Sequence, residues 1–104
     1  MLPDKTLGSA LLDQYGVLLT KHQLEVLEEY YFEDLSMNEI ADNYGVSKAA
    51  ISDLLHRSIK ILENYEKKLC LLKNNSELKA IVTILEEKGI DQSIIDRLNN
   101  IIGG

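Results

Sequence analysis

SMNEIADNYGVSKAAISDLLHRSIK, residues 36–60, is the stretch whose reading decides the fold. Two helices joined by a tight glycine turn account for it position by position. With Met37 as the first position of a helix-turn-helix, the places that must be apolar or small hold Ile40, Ala41, Tyr44, Gly45, Val46, Ile51 and Leu54. Ile40, Val46, Ile51 and Leu54 fill the wedge between two helices that cross at a steep angle. Ala41 is small where the second helix passes close, and Gly45 takes the positive φ of the turn. Ser36 and Glu39 form an S-x-x-E capping box that starts the first helix, and Ser47 caps the second. Each feature alone is a weak signal; together, at fixed offsets, they specify the motif.

Upstream, residues 5–15 carry Leu7, Leu11, Leu12 and Tyr15 at helical spacing, with Gly16 as the stop. Thr20 and Gln23 make a second capping box, which opens a helix from Lys21 to about Phe32. Its apolar stripe is Leu24, Leu27 and Tyr31, widened by Tyr30, with Leu35 in the following loop. Glu25, Glu28, Glu29 and Glu33 occupy the other side. Two readings of that acidic run stand: a solvated helix face, or a docking surface for a basic partner.

Downstream, the second motif helix does not stop where a minimal motif would. From Ile51 an a/d-like seam advances through Leu55, Ser58, Leu62, Tyr65, Leu69 and Leu72, interrupted only by Ser58. Nothing between Lys48 and Lys73 breaks a helix, so a rod on the order of 39 Å is expected. Asn74, Asn75 and Ser76 are expected to break it and cap a helix over Glu77–Lys88, with Leu78, Ile81, Val82 and Leu85 on one face and Gly89 at its end. Asp91 caps a last helix bearing Ile94, Ile95, Leu98, Ile101 and Ile102, with Ile90 and Ile95 placed as a hydrophobic staple. Two short helices cannot bury this much Ile and Leu against each other alone. A homodimer through residues 61–102 is therefore expected, its contacts made by Leu62, Tyr65, Leu69, Leu72, Leu78, Ile81, Val82, Leu85, Ile94, Ile95, Leu98 and Ile101. The alternative is a hairpin folded back on the rod of its own chain.

The chain has 104 residues, 45% of them hydrophobic, and one proline. Those figures fit a single small all-α protein and argue against disorder. No run reaches the ~18 apolar residues of a membrane span, and the N-terminus lacks the pattern of a signal peptide. With one cysteine, Cys70, no intramolecular disulfide forms, and a cytoplasmic location is expected. Cys70 lies within the apolar stretch Leu69–Leu72 and reads as a packed thiol more than a nucleophile. His22 and His56 share no metal-ligand spacing with Cys70 or paired carboxylates. No phosphate loop or nucleophile elbow is present. The expectation is a non-enzymatic protein with no cofactor and no metal.

The net charge of −6 is unevenly spread. Residues 1–47 hold two lysines against nine acids, residues 48–73 six basic side chains against three acids, and residues 74–104 three against five. The one basic segment thus begins at the second motif helix, whose N-terminal end reaches base edges in major-groove docking. The residues placed there are Ser47, Lys48, Ala49, Ser52, Asp53 and His56, with Arg57 and Lys60 further along for phosphate. Direct readout by this set is poor, since no Arg, Asn or Gln stands near the start for bidentate pairing. Weak, salt-sensitive binding to DNA or RNA is expected, against the reading of a merely solvated face.

From Leu19 to Leu62 the chain resembles region 4 of bacterial sigma factors. The shared pieces are the T-x-x-Q entry, the Tyr-Phe pair before an acidic Leu-Ser, the Asn-Glu-Ile-Ala core and the Gly-Val-Ser turn. That resemblance implies a fold that binds promoter −35 DNA, but Ala49, Ala50, Ser52 and Asp53 stand where sigma factors usually carry arginines. Over its whole length, long helix and Ile-rich tail included, the chain resembles the YlxM family, small bacterial helix-turn-helix proteins whose genes accompany those of the signal recognition particle GTPases. This implies a non-enzymatic regulator of that pathway, with nucleic acid or the particle as target, or else a protein–protein adaptor that keeps the helix-turn-helix as scaffold. The expected architecture is all-α: a sigma-region-4-like head over residues 1–60, then over 61–104 a long-helix extension and a C-terminal hairpin used for dimerisation.

Overall fold

Side chains that take up unpaired backbone N–H groups start the helices of the N-terminal part. In the computed structural model, which describes residues 1–103, Asp4 Oδ1 accepts from Leu7 N at 2.8 Å and opens α1, Lys5–Tyr15. A 3-10 turn over Gly16–Leu18 leads to α2, Lys21–Tyr31, where the Thr20–Gln23 box is closed in both directions. The Ser36–Glu39 box opens α3, Met37–Tyr44, in the same way. Ser47 Oγ accepts from Ala50 N at 3.1 Å at the head of α4, Lys48–Leu69. Two more helices follow, α5 over Leu71–Glu87 and α6 over Gln92–Gly103. There is no strand among the described residues, and the fold is all-α.

The chain divides into two compact units, Met1–Leu69 and the residues from Cys70 onward. In the first, α1, α2 and α3 all pack on α4. Leu11, Leu12 and Tyr15 of α1, Val26, Leu27 and Tyr31 of α2, and Ile40 and Ala41 of α3 meet Ile51, Leu55, Ile59 and Leu62 of α4 in the buried core. Each fully buried Leu or Ile contributes about 1.5–3 kcal/mol relative to an exposed one. Gly8 sets the approach of α1 to α2: a Cβ there would lie 2.0 Å from the Tyr31 ring. The Tyr31 hydroxyl donates to Pro3 O at 3.2 Å, and Lys5 Nζ lies 3.8 Å from the Tyr30 ring centroid and 3.2 Å from Asp34 Oδ1. The N-terminal segment is thereby tied to the end of α2.

The turn of the helix-turn-helix matches its sequence reading. Gly45 has φ 67°, Gly45 N bonds Asp42 O and Val46 N bonds Ala41 O. This is the paired closure of a helix ending on a left-handed residue. Val46 departs from expectation. It is 46% exposed, because the closure places it just beyond the helix end, with only one side against the wedge. Leu54 is half-buried. In α1, Leu7 is exposed and Gly8 takes the buried place beside it. In α2, Val26, absent from the expected stripe, is fully buried, since α2 touches α1, α3 and α4 and so buries a wider arc.

The long rod needs a larger correction. α4 ends at Leu69, at about 33 Å. The break falls on Cys70, at φ 54° and ψ 30°, and Asn74, Asn75 and Ser76 lie inside α5. Asn and Ser cost a helix interior only a few tenths of a kcal/mol each, too little to stop a helix whose apolar face is used on both sides of them. Packing by α1 reaches Tyr65 and Glu66 through Tyr15, and Leu69 is 49% exposed, so the cover given by the head ends before α4 does. Leu62 itself is fully buried in the first unit and serves that unit's own core, as do the flanking Ile59 and Leu55. The compact first unit therefore runs to Leu69, past the division after Lys60 that the motif length suggests.

The second unit is a helical hairpin. Gly89, at φ 74°, ends α5 as Gly45 ends α3: Gly89 N bonds Glu86 O and Ile90 N bonds Leu85 O. Asp91 Oδ1 accepts from Ser93 N at 3.1 Å at the start of α6. Val82, Ile95 and Ile102 form the buried core, with Leu85 and Leu98 packed against it.

Candidate nucleic-acid interface

α4 buries Ile51, Leu55, Ser58, Ile59 and Leu62 against the head. A period of 3.6 then turns the residues between them outward. Lys48, Ala49, Asp53, His56, Arg57 and Lys60 are exposed, Ser47 is exposed at the cap, and Ser52 is half-buried. By that period Ala49, Asp53, His56 and Lys60 follow one outward stripe, with Ser52 and Arg57 at its two edges, while Ser47 and Lys48 stand at the exposed N-terminus of α4 and outside that stripe.

Two of them are restrained. His56 Nδ1 lies 2.7 Å from Ser52 O. A carbonyl only accepts, so Nδ1 carries the hydrogen and Nε2 is the ring nitrogen left for a ligand. Arg57 Nε is 3.0 Å from Asp53 Oδ2, one helical turn back, with both side chains largely exposed. Exposed pairs of this kind are weak, so a phosphate can replace the carboxylate at little cost.

The structure adds neighbours that no local pattern pointed to. His22 and Gln23, in the first turn of α2, line a shallow groove with Ala50, Asp53, Leu54 and Arg57 of α4. The His22 ring meets the Tyr44 ring edge-on, with centroids 5.3 Å apart. Only the packing of α2 on α4 brings His22 and Gln23 to one surface with Ala50, Asp53, Leu54 and Arg57, at least 27 residues away in sequence.

A second, acidic surface lies on α2. Glu25, Glu28, Glu29 and Glu33 surround a shallow depression with Tyr44. The Tyr44 hydroxyl donates to Glu29 Oε1 at 3.2 Å, and Glu29 Oε2 is enclosed without a partner. Desolvation, then the charge of Glu29 and its hydrogen bond, with Glu25 and Glu33 adding, hold the Tyr44 phenol above its ordinary pKa. Among the described residues no group of three or more His, Cys, Asp or Glu side chains is placed to hold a metal ion, and no helix is long and apolar enough to cross a membrane.

Comparison with known proteins places these surfaces in context. The family described as "Putative helix-turn-helix protein, YlxM / p13 like", UPF0122, matches residues 4–101. UPF0122 protein ABC2295 of Shouchella clausii is 37% identical over 100 residues, which cover 95% of this chain and 92% of the relative. A UPF0122 protein of Desulforamulus reducens is 46% identical over 76 residues, 72% of this chain and 65% of that protein's length. One from Clostridium kluyveri is 36% identical over 100 residues, 90% of each chain.

Proposed function

We propose, for a chain that belongs to the UPF0122 family of YlxM / p13-like helix-turn-helix proteins, that it is a nucleic-acid-binding regulator and not an enzyme. The observation that carries this reading is the exposed N-terminal half of α4. It combines a capped helix N-terminus, which attracts phosphate, with Lys48, Arg57 and Lys60 on the only segment with a basic excess. The surrounding acids weaken attachment, and the contacts of basic side chains with phosphate make it fall with salt. His56 Nε2 is the side-chain atom best placed to read a base edge. The signal recognition particle, an RNA–protein assembly, is the target we propose, on the strength of the YlxM resemblance, and the protein acts as a homodimer through its C-terminal part.

Retardation of short DNA and RNA duplexes and of the particle's RNA, measured across salt concentrations, tests the reading. Replacing Lys48, Arg57 and Lys60 together by Ala should flatten the slope of log K against log salt by about 2–3, since each phosphate contact contributes about 0.7–0.9. An unchanged slope removes that face from the interface.

The acidic depression favours one rival: an adaptor that captures a basic protein and retains the helix-turn-helix as scaffold. It requires no retardation at physiological salt, together with capture that is abolished when Glu25, Glu28 and Glu29 are changed to Lys.

A further inference from the structure

The hairpin of α5 and α6 has one apolar face and one polar face. Its core of Val82, Ile95 and Ile102 fills the line between the helices. A helix turns about 100° per residue, so Ile81 and Ile84 flank that line on one side of α5. Because α6 runs back along α5, the same step places Ile94 and Ile101 on that same side of the hairpin. The four are 51%, 50%, 47% and 75% exposed. The opposite side presents Lys79, Glu86, Asp96 and Asn99, all exposed.

A unit of this size is too small to hold its fold on a three-residue core, since domains below about 40 residues usually require a staple, a metal or a partner. No disulfide or metal cluster serves it among the described residues. The apolar face is about 25 Å long on α5 and about 18 Å on α6, and two helix diameters, about 20 Å, across. Its flat outline of roughly 430 Å², before side-chain relief is added, is about half of the ~800 Å² that each partner buries in a standard interface. A bilayer is a poor occupant: residues 71–103 hold four basic against five acidic side chains, where surface-bound helices carry a basic rim. The charges are of both signs, with Glu77 on α5 and Lys88 just past its end, as a self-complementary contact needs.

We propose that the occupant is the same face of a second copy, so that two hairpins close into a four-helix bundle with Ile81, Ile84, Ile94 and Ile101 at its centre. This rests on the homodimer reading above and narrows it, since neither the polar side of the hairpin nor the end of α4 takes part. The two-fold contact is isologous and closes at two chains.

Light scattering on the full chain at tens of micromolar is the test, with helicity followed by circular dichroism. The wild type should run at twice the mass of one chain. Ile81→Glu with Ile94→Glu should halve that mass while the first unit keeps its helical signal, and Lys79→Glu on the polar side should leave the dimer intact. If the double variant loses its helical signal altogether, Ile84→Lys alone is read in the same way. A wild-type monomer overturns both the proposal and the dimer. A dimer that survives both sets of Ile substitutions but dissociates on Leu69→Glu overturns only the proposed face.

Discussion

Ser58 sits at 0% exposure in the middle of α4, and its hydroxyl has no hydrogen-bond partner. In the sequence it was the one interruption of an otherwise apolar seam, and in the structure it faces the core with its neighbours. Burying an unpaired hydroxyl costs about 1–3 kcal/mol, so Ser58→Ala should raise the stability of the first unit by about 1 kcal/mol, seen as a higher urea midpoint with unchanged slope. Tyr31 shows the opposite design, a buried phenol with a partner. Burial pushes its pKa up to about 12, with Tyr30, Glu63 and Asp4 adding to the effect. The folded chain therefore keeps this proton at pH values where the unfolded one, at pKa ~10, has lost it. The stabilisation is complete below pH ~10 and is lost as pH rises from there to about 12, by roughly 2 kcal/mol in all. Tyr31→Phe should flatten this alkaline fall in melting temperature. It should also cost about 1 kcal/mol at neutral pH through the lost bond to Pro3.

At the scale of elements, helix starts were legible where a Ser or Thr cap stood just before an apolar-periodic run. The Thr20–Gln23 and Ser36–Glu39 boxes, the Ser47 cap and the ends at Gly45 and Gly89 all stand as read. Such signals depend on backbone groups a few residues apart, which sequence spacing reports directly. The end of α4 depends instead on where α1–α3 stop covering it, and that distance is set by tertiary packing. Asn74–Ser76 looked like a terminator by composition and proved to be helix interior. Val26, Gly8 and the His22–Gln23 edge of the α4 groove were illegible for the same reason: their roles come from a second helix. By contrast, the exposure of Ala49, Asp53, His56, Arg57 and Lys60 was readable, because it is what a 3.6-residue period leaves once the buried positions are known. Ser36→Ala should lower stability by about 1 kcal/mol through loss of the cap on α3. A change within error in the denaturation midpoint would show that tertiary contacts alone hold that helix.

For the whole molecule, the division at Leu69–Cys70 makes the first unit a self-contained four-helix head with its own buried centre. A chain cut after Leu69 should keep a cooperative urea transition and the helical signal of α1–α4. A broad, gradual loss of signal would mean that the head depends on the second unit for its stability. The cut also separates the two halves of the functional reading, since it removes the hairpin and leaves the α4 stripe in place.

The bond that closes the head joins distant ends. Tyr15 donates to Glu66 Oε1 at 2.6 Å across 51 residues, and its ring stacks with that of Tyr65 at 6.1 Å. During synthesis, the ribosome needs roughly 3–10 s to travel that far at ~5–20 residues per second. Through that interval the end of α4 is not yet made, so the Leu11, Leu12 and Tyr15 face of α1 lacks the helix it packs on. The head is therefore completed only after Glu66 has been made, and the hairpin follows it in the chain.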